Sequence, residues 1–236
     1  MDTILAQIRQ DLVARADPAI RQSTRRFFRE EILCYGIRTA EVNVIAKLYW
    51  KKIRGQDKEA IFSLCEELYR TGCLEESVVA AIWARDLSGR LGREDLAVYR
   101  HWIDSYISSW ASCDGLCNHA VGDLVAKFPE CTDDLKLWTL SENRWMRRAA
   151  AVSLIVPAKH GRFQDESLAI ADLLLADTDD MVQKGYGWLL KEVSRKHNAR
   201  VFAFVMERRE RMPRTALRYA IELLPAGMKT QAMQRA

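Results

Sequence analysis

The sequence predicts an all-α protein, a HEAT-like helical-repeat solenoid of antiparallel helix pairs with a concave basic groove. Three observations predict it. Apolar residues recur at helical spacing over most of the 236 residues, with no run of alternating residues that reads as a strand. The breaks between periodic stretches are short, and glycine, proline and capping residues mark them. Successive helix pairs occupy roughly 35–45 residues, the period of HEAT repeats. No linker or low-complexity stretch divides the chain, so a single domain over 1–236 is expected.

Helices are expected at 2–15, 18–31, 39–53, 57–71, 76–87, 93–107, 113–128, 132–140, 144–155, 165–176, 179–196, 198–210 and 213–224. Asp17-Pro18 opens the second with a capping carboxylate and a proline in its first turn. Gly36, Gly55, Gly72 and Gly89 fall just past helix ends, and Pro129, Pro157 and Pro225 follow others. Thr132 and Ser141 are candidate N-caps. Gly185 and Gly187 share the interior of one helix, which points to close packing rather than to a nucleotide-binding loop.

Composition narrows the function classes. The chain is 49% hydrophobic and 29% charged, the balance of a soluble globular protein. No stretch has the apolar length of a membrane span, and the amphipathic N-terminus is unlike a secretion signal, so a cytoplasmic location is expected, at the nucleoid when the protein is on DNA. Six scattered cysteines read as reduced thiols rather than a disulfide framework. The net charge of +4 is unevenly spread: residues 143–236 hold 17 Lys and Arg against 10 Asp and Glu, the remainder 19 against 22. A basic second half points to an anionic partner, nucleic acid first.

Two segments carry candidate chemistry. In MVQKGYGWLLKEVSRK, Val182, Tyr186, Leu189 and Val193 form an apolar stripe, while Lys184, Lys191 and Arg195 bracket Trp188 on another face. Cations hold phosphates and a flat ring meets sugars or bases; the alternative is a half-buried Trp with basic stems over it. Arg144 with Arg148, and Arg214 with Arg218, repeat the basic pattern at i, i+4, with Arg147 beside the first pair. In SSWASCDGLCNHAVGDL, Trp110 precedes Asp114 by one helical turn. Asp114 is either the cap of the following helix or a carboxylate beside an aromatic wall, placed to hold a water or face a developing cation. Cys113, Cys117 and His119 have the spacing of a partial metal site, but nothing nearby completes four ligands, so neither metal nor cofactor is expected.

The blocks SWASCD (109–114), NRWMRRAA (143–150), VQKGYGWLLKEVSR (182–195) and MPRTALRYAIELL (212–224) together resemble the AlkD-type DNA alkylation repair proteins, HEAT-like glycosylases acting on alkylated purines. The resemblance runs from about residue 20 to the end. It implies that Asp114 is the catalytic carboxylate, that Trp110 and Trp188 line the cleft beside the lesion, and that Arg148 contributes to backbone binding. Arg144, Arg147, Lys184, Lys191, Arg195, Arg214 and Arg218 would extend the backbone contacts. An N-terminal aromatic of the family, usually tyrosine, falls on Phe27, which keeps the ring and lacks the hydroxyl. Cys113 and Gly115 also depart from the family pattern, which bears on rate and lesion range.

The implied reaction is monofunctional excision of cationic alkylpurines such as 3-methyladenine and 7-methylguanine from duplex DNA, by a monomer, without base flipping and without strand cleavage. Asp114 would stabilise the oxocarbenium-like sugar and position water. The alternative is a non-catalytic HEAT-like binder of distorted or branched DNA, which has no use for a carboxylate in a negatively charged groove. A protein-binding scaffold is a third reading, separable by the salt dependence of DNA affinity.

Overall fold

The computed structural model describes residues 3–234 and is helical throughout; among these residues β pairing is limited to one parallel bridge, Leu33 with Cys73. The helices fall into two compact units, Met1–Leu116 and Cys117–Ala236.

The first unit contains α1 (Ile4–Ala14), α2 (Pro18–Arg25), α3 (Thr39–Ile53), α4 (Lys58–Arg70), α5 (Leu74–Asp86), α6 (Leu96–Tyr106) and α7 (Trp110–Leu116). Its core is apolar and aromatic: Ile8, Leu12, Ile45, Ile61, Leu68, Trp83, Tyr99 and Trp102 are inaccessible to solvent. Phe62 and Tyr69 pack around Trp102 with ring centroids 5.6 and 5.3 Å away. The expected helix 2–15 begins on residue 2, outside the described residues.

The expected helix 18–31 is cut short. Asp17 caps α2 as the sequence indicates, accepting from the Ala19 and Ile20 amides at 2.7 and 3.4 Å, but the helix ends at Arg25 and no residue of it is buried. The chain then runs extended to α3, and buried Glu75 organises this connector. Its carboxylate accepts from the backbone N–H of Tyr35 (3.0 Å), Gly36 (2.8 Å) and Ile37 (3.1 Å), taking the place of a neighbouring strand. Gly36 has φ +89°, and a Cβ there would lie 2.5 Å from the Asp17 carbonyl oxygen and from Arg21 Cβ. Only glycine permits α2 to rest against this connector.

The second unit contains α8 (Gly122–Lys127), α9 (Cys131–Trp138), α10 (Arg144–Val152), α11 (Ile155–Lys159), α12 (Gln164–Leu173), α13 (Asp180–Arg208), α14 (Arg214–Ala220) and α15 (Ala226–Met233). The single helix expected over 113–128 is instead α7, a π-helical turn at Cys117–Val121, and α8. The expected caps also shift. Thr132 lies inside α9, its hydroxyl donating to the Pro129 carbonyl. Asn143 rather than Ser141 caps α10, accepting from the Trp145 amide at 2.9 Å. The break expected between 196 and 198 is present within α13, where His197 has non-helical φ −134°, ψ 50°. Pro157 sits inside the short α11 instead of after a helix, and Pro225, expected to follow an end, also opens α15, which sequence reading missed.

Candidate functional site

In the first unit, Ser109 opens α7: its hydroxyl accepts from the Ser112 amide at 3.3 Å and meets the Ser112 hydroxyl at 2.8 Å. The capping task is therefore filled, and Asp114 is the fifth residue of the helix, not its cap. Ser112, Cys113 and Leu116 form the buried side of α7, packed on α5, while Trp110 and Asp114 are each half-buried at i, i+4 on the remaining face. The segment thus places a tryptophan and a carboxylate one turn apart, both reachable from solvent.

The ring that meets Trp110 is Phe28. The two stack with centroids 5.3 Å apart and planes at 17°. Phe27, the residue selected by sequence, is 76% exposed and makes no such contact. Both follow the end of α2, where the chain leaves helical geometry and adjacent side chains diverge. The FF pair alone does not tell which ring turns inward.

In the second unit, the apolar stripe Val182, Tyr186, Leu189 and Val193 is buried as expected. Burial pushes the Tyr186 phenol up, and its hydroxyl donates to the Leu175 carbonyl at 3.3 Å. Trp188 is half-buried on the opposite side of α13. Gly187 brings α14 against this helix, since a Cβ would fall 2.8 Å from the Ala216 carbonyl oxygen and from Tyr219 Cβ; Gly185 faces Arg148 Cγ and Val152. Both glycines thus serve helix packing.

The eight basic residues selected by sequence divide into three groups. Arg214 and Arg218 are exposed and form no ion pair among the described residues. Lys184, Lys191 and Arg195, which flank Trp188, are each paired: with Asp180 at 2.7 Å, Glu222 at 2.6 Å and Glu192 at 2.5 Å. Arg144 similarly lies 3.4 Å from Asp179. Arg147 and Arg148 are turned inward, contrary to their expected presentation to a ligand. Arg147 binds Asp177 at 2.6 Å and the Ser141 and Glu142 carbonyls at 2.9 Å each. Arg148 is 5% exposed and donates to the Met181 carbonyl, joining α10 to the start of α13. Asp180 and Glu192 are helix neighbours at i, i+4 and i, i+3, whereas Asp177, Asp179 and Glu222 are brought by long-range packing that spacing does not show.

All six cysteines are buried thiols. Burial pushes the Cys73 thiol up to about 12, and that of Cys65 higher, so neither is a nucleophile at neutral pH. Cys113 and Cys117 are fully enclosed while His119 is exposed, and no group of three or more His, Cys, Asp or Glu able to hold a metal occurs among the described residues. No helix there is long and apolar enough to cross a membrane.

The sequence profile of the DNA alkylation repair enzymes matches residues 8–224. A solved structure described as a predicted DNA alkylation repair enzyme from Enterococcus faecalis is similar with a TM-score of 0.80 at 20% identity, covering 90% of this chain and 98% of that one. At that identity the likeness establishes the helical-repeat fold. No curated protein shows significant similarity to the chain.

Proposed function

The chain belongs to the DNA alkylation repair enzyme family, and from that premise we propose that it is a monofunctional DNA glycosylase excising cationic alkylpurines, 3-methyladenine and 7-methylguanine among them, from duplex DNA. The observation that carries this reading is Asp114, released from capping by Ser109 and set one turn from Trp110 on the open face of α7.

A purine alkylated at N3 or N7 already carries positive charge and departs without strong acid assistance. What remains is to stabilise an oxocarbenium-like sugar and direct a water to C1′. The Asp114 carboxylate suits both tasks, and the electron-rich face of Trp110, one turn away, favours a cationic nucleotide; Trp188, in the second unit, offers the same kind of face beside its own cations. Exposed Arg214 and Arg218, with Lys184, Lys191 and Arg195, are the proposed phosphate contacts; such contacts fix register without reading sequence. Arg148 and Arg147 act through the placement of α10 and α13, not as phosphate ligands.

Incubation with a duplex carrying one 7-methylguanine, followed by alkali, tests the reading: strand scission at the lesion is expected, and an intact strand at enzyme excess overturns it. Two further results are expected. Phe28→Ala should slow excision about three- to tenfold, the worth of one aromatic pair, and Phe27→Ala should slow it less; the reverse order would return the role to Phe27. Arg214→Ala and Arg218→Ala should each weaken binding on every sequence and reduce the slope of log K against log salt by about one.

A further inference from the structure

The acid paired with Lys191 stands apart from the other carboxylates near Trp188. Glu222 lies 31 residues away from Lys191, beyond the end of α14, and reaches it at 2.6 Å where Gly187 lets α13 and α14 close together. In this pair the carboxylate is the open partner: the Glu222 side chain is 53% exposed and that of Lys191 19%. The same acid bears on Arg195, whose charged form is favoured first by its hydrogen bond to Glu192 and then also by Glu222. Glu222 also ends a row at spacing four, following Arg214 and Arg218, both exposed and without an ion pair among the described residues. An anion therefore sits where the basic row would otherwise continue, on its solvent-exposed side.

We propose that Glu222 is a phosphate surrogate, a carboxylate that occupies Lys191 until a nucleic-acid phosphate displaces it and so holds down affinity for duplex. This deepens the nucleic-acid reading given above and rests on it. Exchanging one anionic partner for another gives little net gain, so ordinary duplex, which offers phosphates alone, is held weakly. A duplex carrying a lesion displaces Glu222 at the same cost, so the surrogate lowers affinity for every duplex and leaves the preference for a lesion to whatever else the nucleotide engages, Trp188 among it.

The test is a double-mutant cycle of Glu222→Gln and Lys191→Met, with Asp133→Asn as a control for loss of one acidic charge in the same unit; Asp133 pairs only locally, with Lys136 at 2.8 Å. Binding to an undamaged duplex and to one containing 7-methylguanine is measured across a salt series. Glu222→Gln is expected to bind both duplexes about fivefold more tightly, with a slope steeper by about one and an unchanged ratio between them. The gain should vanish in the Lys191→Met background, and Asp133→Asn should stay within about twofold of the parent.

An equal gain from Asp133→Asn, or a gain that persists without Lys191, overturns the surrogate and leaves the nucleic-acid reading standing. Absence of duplex binding by the parent and all variants overturns both. A gain routed through Lys191 in a protein that excises nothing supports the surrogate and removes only the glycosylase assignment.

Discussion

Asp114→Asn is expected to abolish excision of 7-methylguanine, lowering the single-turnover rate by about 10²- to 10³-fold, the usual cost of removing one preorganised electrostatic group from a reacting centre. The amide keeps the size of the carboxylate and loses the charge proposed to face the developing sugar cation. Affinity for duplex DNA should be unchanged or slightly higher, because a negative charge near phosphates is gone. The two readouts must therefore diverge. The cap of α7 is Ser109 and its packing face is Ser112, Cys113 and Leu116, so the helix start and its buried side are supplied by residues other than Asp114. A variant with parental activity would end the catalytic assignment; a variant that neither binds nor cleaves would show that Asp114 is a structural residue.

Glu75→Ala carries the largest expected loss of stability. Three backbone N–H groups of the connector between α2 and α3 end on this one buried carboxylate. Removing it leaves them without this acceptor, those of Gly36 and Ile37 in buried surroundings. A cost of roughly 3–5 kcal/mol follows from hydrogen bonds to a charged acceptor and the desolvation of orphaned donors. For a domain of this size that lowers the melting temperature by roughly 10 °C. Glu75→Gln retains one carbonyl acceptor and should lose about half as much. Thermal unfolding followed by circular dichroism reads both, and a loss below about 1 kcal/mol for the alanine variant would mean the connector is held by other contacts.

The fold was largely legible because helical proteins write their core in short-range periodicity. Val182, Tyr186, Leu189 and Val193 announced a buried stripe, Asp17-Pro18 announced a helix start, and Gly187 announced a close approach, all from residues near one another in sequence. Errors gather where a distant residue decides. The connector after Arg25 reads as more helix until Glu75, 40 residues from Tyr35, is known to bind its backbone. Asp114 resembled a cap until Ser109 was found to hold that position. Cationic spacing at 144–148 and 184–195 was visible, yet Asp177, Asp179 and Glu222 could not be matched to it without the packing of one helix on another. The choice between Phe27 and Phe28 depended on which way a chain turns on leaving a helix, a detail that periodicity does not encode.

The interruption at His197 gives the long run from Asp180 to Arg208 two independent duties. Ahead of it lie Lys184, Trp188, Lys191 and Arg195; after it, Arg200 and Arg208 are bolted to Asp165 and Asp172 of α12 at 2.5 and 2.6 Å. A change of direction in the backbone between these groups means that the second stretch can accept substitutions that tune durability without rotating the first. The proposed nucleic-acid contacts and the ion pairs to α12 thereby lie on separate segments of what a helix count would record as one rod.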